Sequence, residues 1–235
     1  NNEQRQLMGG NYYPLDFGSF DNNNLNLFQV YGTVNNTSGT ANIFNGVEVS
    51  NATGAWKYAD EHTQYWMADN DYSFKAVVDG NIENVTEVVV DDVTGMPTKV
   101  KLIDASAQKD VLYAEMLNIN YAGNIRPVMF TFNHLLAKAK FTVKNTIANG
   151  TGFVYNVESI KIKNADKDGA YDVATGVWAA TNTYEADFGV AAALAMQGSA
   201  SGSEVYLLPN ANKDLDIEVV YNLTEEQFAN LVIAY

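Results

Sequence analysis

VMFTFNHLLAKAKFTVKN, residues 128–145, changes hydrophobic phase in its middle. Val128, Phe130 and Phe132 alternate on one face of an extended segment. From Ala137 onward the apolar set becomes Ala139, Phe141 and Val143, while Lys138, Lys140 and Lys144 point the other way. A one-residue slip of this kind moves every side chain to the opposite face of a sheet. The chain must absorb it at His134, Leu135 and Leu136, with a bulge, a corner or one helical turn. The stretch also exceeds the ~3–10 residues of an ordinary strand. Two strands joined by a corner are therefore expected.

The chain around this pivot has the character of a β protein. Of 235 residues, 47% are apolar or aromatic and only 18% are charged, where roughly 25% is usual. That content can fill one sizeable core or two smaller ones. Fourteen Tyr and eleven Phe, with many Val and Thr, suit a pleated, half-buried surface. The net charge of −14 makes the chain a polyanion, which a phosphate backbone repels, so nucleic acid is excluded as a partner. Cysteine is absent, which rules out disulfide staples, thiol nucleophiles and Cys-based metal sites. No apolar run approaches the ~18 residues of a membrane span, and the N-terminus, NNEQRQLMGG, does not read as a signal peptide.

Alternating segments predict strands at residues 25–34, 71–78, 85–90, 99–103 and 111–117. In residues 71–78, Tyr72, Phe74, Ala76 and Val78 share one face, and Ser73, Lys75 and Val77 the other. Asn45-Gly46 between Ile43-Phe44 and Val47-Glu48-Val49 predicts a type I′ hairpin turn. Residues 1–24 read as a loose lead-in with one short strand at 15–20, and residues 145–152 as the domain boundary. Beyond it, residues 154–163 place Ile160 and Ile162 inward and Lys161 and Lys163 outward. Residues 191–203 are low in complexity and read as a loop. Strands are expected at 204–208 and 215–221. Thr224 with Gln227 forms a capping box, and Leu223 with Phe228 a staple. Phe228, Leu231, Val232 and Tyr235 follow at helical spacing, so the last segment is expected as a short helix, although 231–235 alone would pass as a strand. Many short strands with almost no helix predict β-sandwiches.

Each candidate site residue has a plainer reading. His134 is expected to bond backbone at the corner, and His62, in Asp60-Glu61-His62, to sit in a solvated loop. Asn164, Asp166, Asp168, Gly169 and Asp172 match positions of a calcium loop, yet Thr175 stands where a bidentate Glu is needed. A plain turn uses the same residues. Asp91-Asp92 and Glu225-Glu226 are sequence neighbours, so a strand sends the members of each pair to opposite faces. In Gly198–Gly202, GSASG, Ser201 is one place late for a nucleophile elbow. No Walker loop, Rossmann fingerprint or HExxH occurs. No residue is therefore assigned as catalytic, cofactor-binding or metal-binding, and an enzyme is not expected. Trp56, Tyr58, Tyr65 and Trp66 form an aromatic cluster that either packs at a sheet edge or stacks on sugars. Asn51-Ala52-Thr53 is a sequon, of consequence only in a eukaryotic secreted protein.

Five pieces taken together resemble one family in order. Trp56-Lys57-Tyr58, Tyr65-Trp66 and Tyr72-Ser73-Phe74-Lys75-Ala76 resemble a W.Y…YW…Y.F.A block. Asp110-Val111-Leu112-Tyr113-Ala114 resembles DLLYA. Phe132-Asn133-His134-Leu135-Leu136-Ala137-Lys138 is similar to FkHaLAk, and residues 157–164 and 205–209 to v.sIkIkN and vyLLP. This is the pattern of the Bacteroidetes fimbrillins, the fimbrillin-like subunits of surface pili. The resemblance implies two transthyretin-like β-sandwich domains, here 25–146 and 147–235 after a lead-in at 1–24. The chain stops at Tyr235, where family members run on for several strands, which implies a truncated second domain or a strand supplied by another molecule. It further implies an outer-membrane lipoprotein at the extracellular surface, with the lipid anchor absent from this sequence. The implied role is a structural or adhesive pilus subunit, joined to other fimbrial subunits by strand complementation after trimming, for which Arg5-Gln6 is a candidate point. Receptors or glycans are further partners, and a glycan-binding module using the Trp56–Trp66 cluster is the alternative role.

Overall fold

The computed structural model describes residues 13–20, 25–120, 127–146, 153–195 and 197–225. Among these the chain is almost entirely β, with two single-turn 3₁₀ segments at Asp60–His62 and Ala105–Ala107. It divides into two compact units. The first comprises Asn1–Asp104, Lys109–Leu135 and Gly169–Ala179, and the second Ala105–Gln108, Leu136–Asp168 and Ala180–Tyr235.

In the first unit a five-stranded antiparallel sheet runs in the order Gly39–Ser50, Leu27–Asn36, Asp71–Val78, Leu112–Asn120, Asn133–His134. The alternation of residues 71–78 explains its two-sided burial. Tyr72, Phe74, Ala76 and Val78 face an aromatic core with Phe28, Phe44, Trp66, Phe130 and Phe132. That core is closed by a parallel pair, Phe17–Ser19 against Val128–Phe130. Val77, Tyr31 and Tyr113 face the opposite side, where Met96, Val100, Leu135, Tyr171 and Trp178 complete a second core. All of the latter but Leu135 belong to or border a four-stranded sheet ordered Val177–Ala180, Gly169–Asp172, Pro97–Leu102, Thr86–Val90. Residues 15–20, expected within a loose lead-in, supply buried Leu15 and Phe17.

The hairpin expected at Asn45-Gly46 is not formed. Gly39–Ser50 is one continuous strand, and its register against Leu27–Asn36 passes from Val30↔Val47 to Tyr31↔Asn45. Gly46 is the extra residue of a bulge, with φ +69°, a conformation that suits glycine. The reversal lies at residues 36–39, within the polar 35–40 stretch that the sequence marks as turn material; there the Asn36 side chain accepts the Ser38 amide at 2.8 Å and Gly39 has φ +117°. Asn-Gly serves a bulge as well as a turn, which is why pattern alone misplaces it.

The second unit contains Phe153–Asp166, a long strand bent by a bulge between Val157 and Ser159. One edge pairs with Thr183–Asp187 and Ala192–Leu194, the other with Ile217–Glu225. Two short ladders, Ala137–Ala139 with Val205–Leu207 and Thr142–Lys144 with Ser199–Ser201, complete the described strands. The core joins Val157, Ile160, Ile162, Phe188 and Leu194 to Ala139, Phe141 and Val143. Residues 191–203, expected as a loop, thus contribute two short strands, Ala192–Leu194 and Ser199–Ser201.

The phase change resolves at adjacent buried residues. Leu135 packs in the first unit, and the passage to the second falls between Leu135 and Leu136, upstream of the 145–152 stretch that composition singled out. Leu135 is fixed twice: its N–H donates to Val111 O at 2.9 Å, and its carbonyl accepts Trp178 Nε1–H at 2.9 Å. The apolar row Val128, Phe130, Phe132 and the row Ala139, Phe141, Val143 fill different cores.

Candidate functional site

The feature that departs most from an ordinary sandwich lies on Ile217–Glu225. Cross-strand pairs place Ile162 beside Ile217, Ile160 beside Val219, Val157 beside Tyr221 and Tyr155 beside Leu223. Residues opposite one another in a ladder share a face. Ile160, Ile162 and Val157 point into the core and are buried, so Ile217, Val219, Tyr221 and Leu223 occupy the core face as well. Yet those four are 47%, 45%, 58% and 49% exposed. The opposite face is unmistakably the outer one. Lys163 ion-pairs with Glu185 and, at 3.6 Å, with Glu218, while Lys161 reaches Glu185 at 3.7 Å. The hydrogen bond to Glu185 raises the Lys163 ammonium and lowers the Glu185 carboxyl, so both stay charged.

The uncovered row borders a hollow of about 250 Å³ lined by Val143, Asn145, Tyr155, Leu194, Val219 and Tyr221, among others. Its polar floor is tied down, since buried Asn145 donates to Leu194 O at 3.1 Å. Among the described strands, Ile217–Glu225 pairs with Phe153–Asp166 alone. A long, apolar, unblunted edge is a template for strand addition. The entry to this strand is anchored: Asn164 binds Asp214 O at 3.0 Å and accepts the Asp216 amide at 2.9 Å, and Lys213 ion-pairs with buried Asp166.

Those anchors engage two of the residues that match a calcium loop, Asn164 and Asp166. Asn164, Asp166, Asp168 and Asp172 do not converge. Asp168 accepts from Thr181 and from Asn182, whose Nδ2 lies 2.6 Å away, and these bonds hold its carboxyl down at about 2. Asp172 caps its own turn, accepting the Ala174 and Thr175 amides at 2.9 and 3.0 Å. No group of three His, Asp or Glu suited to a metal ion occurs among the described residues.

His134 is not a backbone-bonding corner residue. Its Nδ1 lies 2.8 Å from Asp110 Oδ1 on an exposed surface. Pairing of Asn133–His134 with residues 112–113 brings these two together, which sequence distance concealed. His62 is exposed and 3.8 Å from Glu61. Asp91 caps a turn through the Val93 and Thr94 amides, and those bonds lower its carboxyl. Ser201 lies on a strand, 2.8 Å from Thr142 Oγ1. Thr224, expected to cap a helix, lies in Ile217–Glu225 opposite Val154. The Arg5 trimming point, Gln227, Glu226 and residues 228–235 lie outside the described residues.

The aromatic cluster divides. Trp66 is a core residue, 1% exposed and edge-on to Tyr72 at 4.9 Å. Trp56, Tyr58 and Tyr65 instead line an open hollow of about 510 Å³ with Asp16, Lys57, Asp60 and Thr63. In the sequence the four aromatics look alike, since wall and core rings carry the same spacing. Residues 215–221 read as a strand, and the exposed row has no signal of its own, because an uncovered core face has the same alternation as a covered one.

Comparison with known proteins accords with this architecture. The family model described as fimbrillin-like matches residues 18–233. Among solved structures, a fimbrial protein from Bacteroides vulgatus ATCC 8482 is similar with a TM-score of 0.69 at 16% identity, covering 85% of this chain and 77% of that one. A protein from Bacteroides ovatus ATCC 8483 named for cell adhesion gives 0.54 at 16%, covering 92% and 86%. Another so named, from Bacteroides uniformis ATCC 8492, gives 0.52 at 18%, covering 89% and 78%. A search of curated proteins finds no match. The chain belongs to the fimbrillin-like family, structural proteins of the cell surface rather than enzymes.

Proposed function

We propose that the chain is a subunit of a bacterial surface fimbria and joins its neighbours by β-strand complementation. The carrying observation is the core-face row Ile217, Val219, Tyr221, Leu223, half exposed on an edge without a partner among the described strands. A donor strand laid along that edge makes main-chain hydrogen bonds for affinity, and its alternate side chains drop onto the row for specificity. The outer-face ion pairs of Lys161 and Lys163 keep that side solvated, so a donor is directed inward. Membership of the fimbrillin-like family supports, as part of the same proposal, export as a lipid-anchored outer-membrane protein and use of the assembled fimbria in adhesion.

The test uses the mature protein recovered from the parent bacterium. SDS-resistant ladders on unboiled gels, collapsing on boiling, and filaments by negative-stain microscopy are expected. A mature protein that stays monomeric and never joins a filament would overturn the proposal.

A further inference from the structure

The hollow around Trp56 and Tyr65 lies in the first unit, whereas the assembly edge lies in the second. We propose that this hollow binds the neutral pyranose end of a surface glycan, a reading independent of strand complementation.

Three aromatic rings line it; two are held from behind by core rings, and the third sits on an anchored backbone. The Trp56 ring packs on Phe28 at 5.0 Å, and Tyr58 on Phe44 at 5.6 Å and Phe17 at 5.9 Å. The Tyr58 hydroxyl donates to Leu15 O at 2.6 Å, and burial pushes it up to about 12, so it stays protonated in that bond. Tyr65 is stitched to residue 14 by a β-bridge. Rings fixed in this way are pre-organised platforms: a ligand does not have to order them, and rigidity of that kind lowers the entropy cost of binding. The C–H face of a pyranose is apolar and its rim carries hydroxyls, which calls for aromatic faces beside hydrogen-bonding groups.

The polar groups match that need. Asp16 and Asp60 offer acceptors to vicinal hydroxyls, and Lys57 adds donors, while Thr63 Oγ1, whose O–H is given to Asp60 O at 2.7 Å, keeps its lone pairs as a further acceptor. Two carboxylates against one ammonium leave the hollow negative, which repels sialic and uronic acids and selects neutral sugars. A volume of about 510 Å³ lies within the ~300–1,000 Å³ of small-molecule sites. The neighbouring Trp66, buried in the core, is excluded from the contact.

The experiment is a glycan array carrying neutral and sialylated oligosaccharides, probed with the fluorescently labelled chain, then titration of the best neutral hit. Wild type is expected to retain neutral glycans. Tyr65→Ala and Asp16→Asn, both at exposed positions, should each weaken binding on the order of tenfold with an unchanged melting curve. Trp56→Ala should abolish binding, and Trp56→Phe restore part of it, which separates stacking from lost packing on Phe28. No retained glycan, a preference for sialylated ones, or affinity untouched by Tyr65→Ala and Asp16→Asn would each overturn the proposal.

Discussion

Val219→Lys tests the assembly edge where it is most sensitive, at the centre of the exposed row. Full burial of a Val, Leu or Ile side chain is worth ~1.5–3 kcal/mol. Residues 217, 219, 221 and 223 are already about half covered, so a donor strand gains about 1 kcal/mol at each, or ~4 kcal/mol along the row. A lysine at 219 forfeits one share and brings an ammonium whose desolvation costs several kcal/mol if it cannot snorkel out. The net loss is about 3–4 kcal/mol, a factor of roughly 10²–10³ in the association constant. In the isolated subunit the same side chain reaches water, so the melting temperature should move by no more than about 4 °C. Polymerisation followed by sedimentation, with thermal melting of the monomer as control, measures both. Assembly of Val219→Lys at wild-type affinity would refute the reasoning. So would a large fall in monomer stability, because residue 219 would then be an ordinary core position.

Further consequences concern the first core and pH. Phe74 is fully buried among Phe17, Phe44 and Trp66, so Phe74→Ala should destabilise the first unit by ~3–5 kcal/mol in denaturant titration. A Cβ at Gly32 would sit 2.8 Å from Phe74 Cδ1 and 3.1 Å from Phe44 Cδ2. Gly32→Ala is therefore expected to cost ~1–3 kcal/mol through overpacking, and a neutral result would show that the rings yield. Asp168, whose carboxyl is held at about 2 by Thr181 and Asn182, stabilises its loop fully above the unfolded carboxylate range, ~4. That contribution is lost as pH falls towards 2, because the unfolded chain then binds the proton first. Amide exchange of residues 181 and 182 between those limits should show the loss, and Asp168→Asn should flatten it.

Much of the architecture was legible because alternation reports burial directly. Residues 71–78 alternate between two faces, and each face fills its own core. Alternation puts Ile160 and Ile162 inward and Lys161 and Lys163 outward, as the structure does, and the phase slip at residues 134–136 lies where the chain passes between units. The errors share a cause, since one local signal served two geometries. Asn45-Gly46 is a bulge that reads as a turn, Thr224 opens no helix but lies in a ladder, and the Ala/Ser-rich stretch forms strands too short to show a period. His134 met Asp110 only because strand pairing carried a distant carboxylate to it.

By itself the sequence determined the all-β class, the acidic surface, the family pattern and which residues alternate inward, because these depend on side-chain chemistry and a period of two. Tertiary structure alone decided which inward rows are covered, which aromatics are wall and which are core, and which strand has a single partner among the described strands. Those depend on long-range pairing: Ile217 and Ile162 carry the same pattern, and only the placement of neighbouring strands leaves one in water and the other buried.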